Sequence, residues 1–235
     1  MAAATLNNRN LAKQLAAQEA VKLVKNNDIV GLGTGSTARF ALMALAERLK
    51  EGLQIRGVPS SLATEAQAKA LGIPLLPLGE VAQIDISIDG ADEFNEELQL
   101  IKGGGGALFR EKIVASLSKN RVVVVDSSKK VAQLGAFKVP VELVPVACRY
   151  VLDQFEALGG QAQLRYKNDA LFITDNQNYI ADVDFGLIAN PEELAIQLNQ
   201  IEGVLAHGLF IGLATKVIMA TGEGLLVFEQ SQKGS

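Results

Sequence analysis

The chain has no tryptophan, one cysteine and one histidine among 235 residues, and aromatic side chains make up 5% of it. Each scarcity excludes a class of function. A lone Cys148 cannot form an internal disulfide, which argues against a disulfide-stapled scaffold and for a reducing compartment. Its apolar neighbours Val146 and Ala147 suit a small core residue better than a reactive thiol. A lone His207 cannot build a multi-histidine metal centre, and no Cys/His ligand spacing occurs. Long basic runs are missing too: 22 Lys and Arg are interspersed with 26 Asp and Glu, a net charge of −4, so nucleic acid is not expected as a partner. The opening Met1–Asn10 has no basic region followed by a long apolar one, and no segment reads as a membrane span. The expectation is a cytoplasmic protein with no membrane partner.

What the chain does have is apolar mass. Hydrophobic residues make up 49% of it, enough to bury a substantial core in one large domain or two of ordinary size. It also has four glycines in a row, Gly103–Gly106, placed between Lys102 and a helical pattern that carries Glu111. Glycine runs are common in flexible connectors. Here no Ser or Pro accompanies the run, and Leu100-Ile101 and Ala107-Leu108-Phe109 flank it tightly. That favours a shaped loop whose backbone approaches a ligand. An acid in a first helical turn, as Glu111 is, is also what the helix dipole alone would select.

Along the chain, Leu11, Leu15, Ala16, Ala20, Leu23 and Val24 recur at helical spacing, which predicts a helix over Leu11–Lys25 with Asn10 as its N-cap. Lys13 falls on the polar side, where a solvated lysine is the ordinary reading. The apolar run Asp28–Leu32 leads into Gly33-Thr34-Gly35-Ser36-Thr37 and then a helical pattern from Ala38 through Leu49. Strand, Gly/Ser/Thr loop and helix together aim free backbone N–H groups at an anion, and Thr34, Ser36 and Thr37 add hydroxyls. The dinucleotide fingerprint fails at Ser36, and a P-loop lysine is lacking, so the loop predicts a phosphate cradle of no standard type. Gln54–Pro59 reads as a second strand, and Ser60-Ser61 opens a helix toward Leu71. Ile84–Ile88 alternates with period two and ends in Asp89-Gly90-Ala91-Asp92-Glu93. Two carboxylates around a Gly-Ala turn fit an Asx-type cap as well as a ligand site. Val122–Val125 reads as a buried strand followed by Asp126-Ser127-Ser128-Lys129, and Lys129 can meet a ligand anion or water.

Alternating strands and helices predict a parallel sheet with its ligand beyond the carboxyl ends of the strands. The pattern then changes. Strands at Ala136–Val141, Gln161–Tyr166, Ala170–Thr174, Tyr179–Phe185 and Val204–Leu209, with helices at Pro145–Leu158 and Pro191–Ile201, resemble a β-α-β-β-α-β unit with an extra strand. The last apolar stretch, Ile211–Phe228, returns to the first sheet. The predicted class is α/β: a Rossmann-like parallel-sheet large domain, residues 1–134 and 210–235, with an inserted ferredoxin-like α+β small domain, residues 135–209.

Taken in register, Gly31–Thr37, Asp89–Glu93, Lys102–Gly105 with Glu111, and Asp126–Lys129 resemble the motifs of the ribose-5-phosphate isomerase A family, as does His207–Phe210. Any one motif is weak, and four in order are specific. The one departure is Gly106, where some members carry alanine, a conservative difference. The resemblance implies an aldose–ketose isomerase that interconverts D-ribose 5-phosphate and D-ribulose 5-phosphate through an enediol(ate), with no metal and no cofactor. It implies Glu111 as the base between C1 and C2, Asp89 and Asp92 as handlers of hydroxyl protons and ring opening, and Lys102 as support for the oxyanion. Thr34, Gly35, Ser36, Thr37, Asp89, Gly90, Ala91, Asp92, Lys102, Gly103, Gly104, Gly105 and Lys129 would line the phosphosugar site, with Lys13 a further phosphate contact. A homodimer or homotetramer is implied as well. The main rival from another class, a sugar-phosphate sensor, would keep the phosphate loop but has no need for Glu111 beside Lys102 and two aspartates.

Overall fold

The computed structural model describes residues 2–230, with side chains from residue 10 onward. Six helices are α1 (Ala2–Lys22), α2 (Ser36–Lys50), α3 (Leu62–Ala70), α4 (Leu108–Leu117), α5 (Cys148–Ala157) and α6 (Pro191–Asn199). The large sheet has six strands, in the spatial order Leu225–Glu229, Lys216–Ala220, Ser118–Asp126, Ile84–Asp89, Ile29–Leu32 and Arg56–Pro59. Five run parallel, and the edge strand Leu225–Glu229 is antiparallel. The expected return of the C-terminal stretch to this sheet is therefore found.

From Ile29–Leu32 the chain first adds Arg56–Pro59 on one side and then Ile84–Asp89 on the other. That reversal makes the carboxyl ends of Ile29–Leu32 and Ile84–Asp89 a topological switch point, where an open α/β sheet leaves a crevice.

Helix α1 differs from its sequence reading. It begins at Ala2, so Asn10 lies inside the helix and is not its N-cap. Leu11, Leu15 and Leu23 face outward, while Ala16, Ala17, Ala20, Val21 and Val24 are buried. The physical reason is packing distance: a face of alanine and valine lets α1 close on α2 and on the strands Ser118–Asp126 and Lys216–Ala220. Ser61 caps α3 as anticipated, its hydroxyl accepting from the Thr64 N–H at 3.0 Å.

The second sheet is antiparallel, with strands ordered Val204–His207, Val139–Leu143, Tyr179–Asp184 and Gln161–Leu164. With α5 between its first two strands in sequence and α6 between its last two, this is the expected β-α-β-β-α-β arrangement. Several details depart from expectation: the strand read as Ala136–Val141 runs Val139–Leu143, and the one read as Ala170–Thr174 stops at Leu171. The strand read as Gln161–Tyr166 breaks at Arg165, and Tyr166–Lys167 pairs with Ala170–Leu171 as a separate ribbon. The strand read as Val204–Leu209 breaks at Gly208, and Leu209–Phe210 joins Leu100–Ile101 and Glu93–Phe94 in a small third sheet. Gly208 admits no side chain, because a Cβ there would collide with the Lys102 carbonyl.

Helix α4 touches Ile84–Asp89 of the large sheet and Val204–His207 and Val139–Leu143 of the second. It lies so close to the first that a Cβ on Gly31 would sit 2.5 Å from Val114. A side chain on α4 is thus held by both sheets. No described helix is long and apolar enough to cross a membrane.

Candidate active site

At the switch point, the loop after Ile29–Leu32 turns so tightly that Gly33 stands where a Cβ would strike the Asp89 carboxyl. Asp89, the last residue of its strand, accepts from the Thr34 N–H at 3.1 Å and from the Gly90 N–H at 2.8 Å through Oδ1. Its Oδ2 accepts from Lys102 Nζ at 2.9 Å. Lys102 also donates to the Gly90 carbonyl at 2.5 Å and lies 3.3 Å from Glu111 Oε2. Its ammonium stands 5.3 Å from the centre of the Phe210 ring. The side chains of Lys102 and Glu111 are only 6% and 4% exposed, so this pair is shielded from water.

Burial and charge act here in opposite senses. Burial alone would lower the Lys102 pKa, but Asp89 and Glu111 overcome it and hold the ammonium charged, its pKa raised. Burial raises Glu111 to about 7; Lys102 opposes the rise and Asp89 adds to it. Glu111 Oε2 is buried and accepts no hydrogen bond among the described residues. A buried, unsatisfied carboxylate oxygen poised near neutrality is suited to taking and returning a proton.

The glycine run forms one wall. Gly103 and Gly106 have φ of 102° and 84°, a region that disfavours other residues. Asp92 Oδ2 accepts from the Gly104 N–H at 2.8 Å, and a Cβ on Gly104 would come 2.8 Å from Oδ1 of the same carboxylate. A Cβ on Gly106 would collide with the Phe172 ring, so in this chain glycine and alanine are not interchangeable there, contrary to the expectation of a conservative difference. A Cβ on Gly105 would stand 3.7 Å from Thr34 Cγ2, and one on Gly90 would stand 3.6 Å from Thr37 Cβ, which brings the first loop, the Asp-Gly-Ala-Asp turn and the glycine run together.

Of the anticipated phosphate contacts, Lys13 is not merely solvated: its Nζ donates to Ser36 Oγ at 3.0 Å. Gly35 and Ser36 are exposed at the N-terminus of α2, and Ala91 is half-buried in its turn. Thr34 differs from the sequence reading in one respect. Its hydroxyl lies 2.8 Å from Ser60 Oγ and donates to Ser61 Oγ at 2.9 Å, so it braces the loop from beneath. Lys129 lies in a short turn, Ser127–Lys129, after the strand Ser118–Asp126. Sequence reading missed Arg165, whose guanidinium reaches the carbonyls of Gly103 and Gly104, and Asp175, which accepts from the Leu62 N–H at 2.7 Å and so ties the turn before the strand Tyr179–Asp184 to α3. Neither carries a local motif.

A switch-point crevice with a phosphate-type cradle and a buried carboxylate–ammonium centre defines an α/β enzyme of acid/base chemistry. Comparison with known proteins narrows this. A family model described as ribose 5-phosphate isomerase A (phosphoriboisomerase A) matches residues 56–224. The chain is 52% identical over 223 residues to a ribose-5-phosphate isomerase A of Synechococcus sp. (strain JA-3-3Ab), covering 93% of this chain and 97% of that one. The solved ribose 5 phosphate isomerase A of Neisseria gonorrhoeae is 40% identical, with a TM-score of 0.89 over 95% of this chain and 98% of its own. A D-ribose-5-phosphate isomerase solved in complex with phospho-erythronic acid is 38% identical, with a TM-score of 0.91 over 94% of this chain and 99% of its own. The chain belongs to the ribose 5-phosphate isomerase A family.

Proposed function

We propose that this protein interconverts D-ribose 5-phosphate and D-ribulose 5-phosphate, an aldose–ketose isomerisation in the non-oxidative branch of the pentose phosphate pathway. The observation that carries the reading is Glu111 Oε2, buried without a hydrogen bond and 3.3 Å from a lysine ammonium that Asp89 keeps charged. Glu111 removes the proton from C2 of the open-chain aldose, and the C–H electron pair forms the C1–C2 double bond of an enediolate. The carbonyl pair moves onto O1, where Lys102 supports the negative charge. Glu111 returns the proton to C1, and the O2 hydroxyl proton passes to O1 as C2 becomes the carbonyl. Asp89 and Asp92 move hydroxyl protons in that exchange and in opening the ring. The phosphate rests against Gly35, Ser36 and Thr37 at the N-terminus of α2, with Lys13 beside Ser36 and Lys129 as a further cation. Gly90, Ala91, Gly103, Gly104 and Gly105 line the sugar.

The reaction proceeds without a metal or cofactor. Residues 1–134 and 210–235 act as the large catalytic domain and 135–209 as an inserted small domain, the chain assembles as a homodimer or homotetramer, and it works in the cytoplasm. A coupled assay for ribulose 5-phosphate formed from ribose 5-phosphate, run with and without EDTA, tests the reading. Turnover at the same rate in both is expected; loss of turnover on chelation would overturn the metal-free mechanism.

A further inference from the structure

One functional carboxylate, Asp92, is held by something other than Lys102, and what holds it leads back into the second sheet. The Gly104 N–H that donates to Asp92 Oδ2 at 2.8 Å shares a peptide unit with the Gly103 carbonyl. In a trans peptide these two groups point in opposite directions. The Gly103 carbonyl accepts from Arg165 Nη1 at 2.9 Å, and the Gly104 carbonyl accepts from the same nitrogen at 3.2 Å. One peptide is therefore gripped at its oxygen by a guanidinium and at its nitrogen by Asp92.

The guanidinium is itself fixed. Asp182 Oδ2 accepts from Arg165 Nε at 2.8 Å, and Oδ1 accepts from Nη2, a two-point pairing of side chains 13% and 27% exposed. Phe172 flanks the guanidinium at 5.9 Å and also packs where a Cβ on Gly106 would stand. The backbone of Arg165 is pinned by its N–H to the Ile180 carbonyl at 2.7 Å and by its carbonyl to the Phe172 N–H at 2.9 Å. A permanent positive charge at the oxygen end of a peptide polarises it and strengthens its N–H as a donor. Within the run the Gly106 N–H also donates to the Gly103 carbonyl at 3.0 Å; glycine backbone has the widest choice of dihedrals, and Arg165 adds a constraint from outside the run.

We propose that Arg165, clamped by Asp182, is the positioning residue for Asp92 in the isomerisation, acting through the Gly103–Gly104 peptide. This rests on the acid/base reading of the site. Arg165 touches no reacting atom. It sets the direction and donor strength of the amide that fixes the Asp92 carboxylate. The same contact directs the Gly104 carbonyl toward Arg165 and so leaves the following amide, on Gly105, facing away from it.

The test is a double-mutant cycle of Arg165→Gln and Asp92→Asn, read as kcat and KM at enzyme concentrations that keep slow variants measurable. Arg165→Gln is expected to lower kcat about 10–100-fold, the loss typical when catalytic groups are displaced by an ångström or less, with a much smaller change in KM. Adding Arg165→Gln to Asp92→Asn is expected to cost less than about two-fold more, because the two act as one unit. Multiplicative losses, or an Arg165→Gln variant with wild-type kcat and only a lowered melting temperature, would overturn the proposal. Should Arg165→Gln fail to fold, Asp182→Asn takes its place in the same cycle with the same expected non-additivity, since it frees the guanidinium without removing its charge. Arg165→Lys, which keeps the charge but cannot span both carbonyls and Asp182, is expected to rescue only part of kcat. Failure of the isomerase reading itself is distinct, because the wild-type enzyme would then be inactive in the same assay.

Discussion

A buried lysine and a half-buried one face the same aromatic ring and meet opposite fates. Lys102 Nζ stands 5.3 Å from the centre of Phe210, and Lys112 Nζ stands 4.9 Å from it. Lys102 has Asp89 and Glu111 beside it, and its pKa is raised. Lys112 has no ion pair to a carboxylate among the described residues. It donates to the carbonyls of His207 at 2.7 Å and Leu209 at 3.0 Å and lies 3.4 Å from His207 Nδ1, and burial lowers it to about 7. His207 is lowered to about 3, by its own burial and then by Lys112, and so stays neutral. Burial and an aromatic face do not by themselves keep an ammonium charged. A paired carboxylate does, and that separates the lysine that can stabilise an enediolate from the one that joins two chain segments.

The strongest break in this comparison is to remove the acid that Lys102 serves. Glu111→Gln is expected to bind ligand as before while losing at least ~10²-fold in turnover, the usual contribution of a positioned base; near-wild-type turnover would remove Glu111 from that role. Next comes Lys102→Gln, expected to lower kcat by about 10²–10³-fold, as loss of a preorganised oxyanion donor does. The pH–rate profile sharpens this case. The base works when deprotonated, so wild-type kcat/KM is expected to fall as pH drops through about 7. Lys102 is the group that lowers Glu111, so in Lys102→Gln the acid limb should move to higher pH. An unmoved limb would show that it does not belong to Glu111, and a wild-type loss only below about pH 5 would show that Glu111 titrates near its ordinary value.

Lys112→Met is the smallest of the three. It should leave kcat within about ten-fold of wild type and cost about 1–3 kcal/mol of stability for two carbonyls left unpaired. Its sign with pH is distinctive. The folded pKa lies below the unfolded one, so the unfolded chain binds more protons between them and wild-type stability should rise as pH climbs from about 7 toward 10.5. The variant should lack that rise in urea midpoints taken across the range.

Much of this architecture is legible in the residues. The Gly-Thr-Gly-Ser-Thr loop, the Asp-Gly-Ala-Asp turn and the Lys-(Gly)4 run each follow an apolar segment, and local chain chemistry marks all three. The alternation of strand and helix is equally local, and it places the motifs at one end of a parallel sheet. What could not be read are the contacts made across long separations. Arg165 sits in an unremarkable stretch, Gln161-Ala-Gln-Leu-Arg-Tyr166, and becomes meaningful only when an antiparallel neighbour carries Asp182 beside it. The outward leucines of α1 deceived for a related reason: helical spacing reports two apolar stripes, and only the tertiary partner selects the one rich in alanine. The strand break at Gly208 follows from a backbone crossing that no pattern along the chain announces.

That crossing also bears on time. The N–H of Lys102 donates to the Gly208 carbonyl at 2.9 Å, and Phe210 lies across from its ammonium. A ribosome delivers the base, both aspartates and the lysine well before it delivers these two residues, and domains acquire structure as they emerge. A nascent chain that ends short of Phe210 therefore carries every proposed acid and base and still lacks the strand against which its lysine is set. The centre is completed only when the polypeptide has left the second sheet and come back.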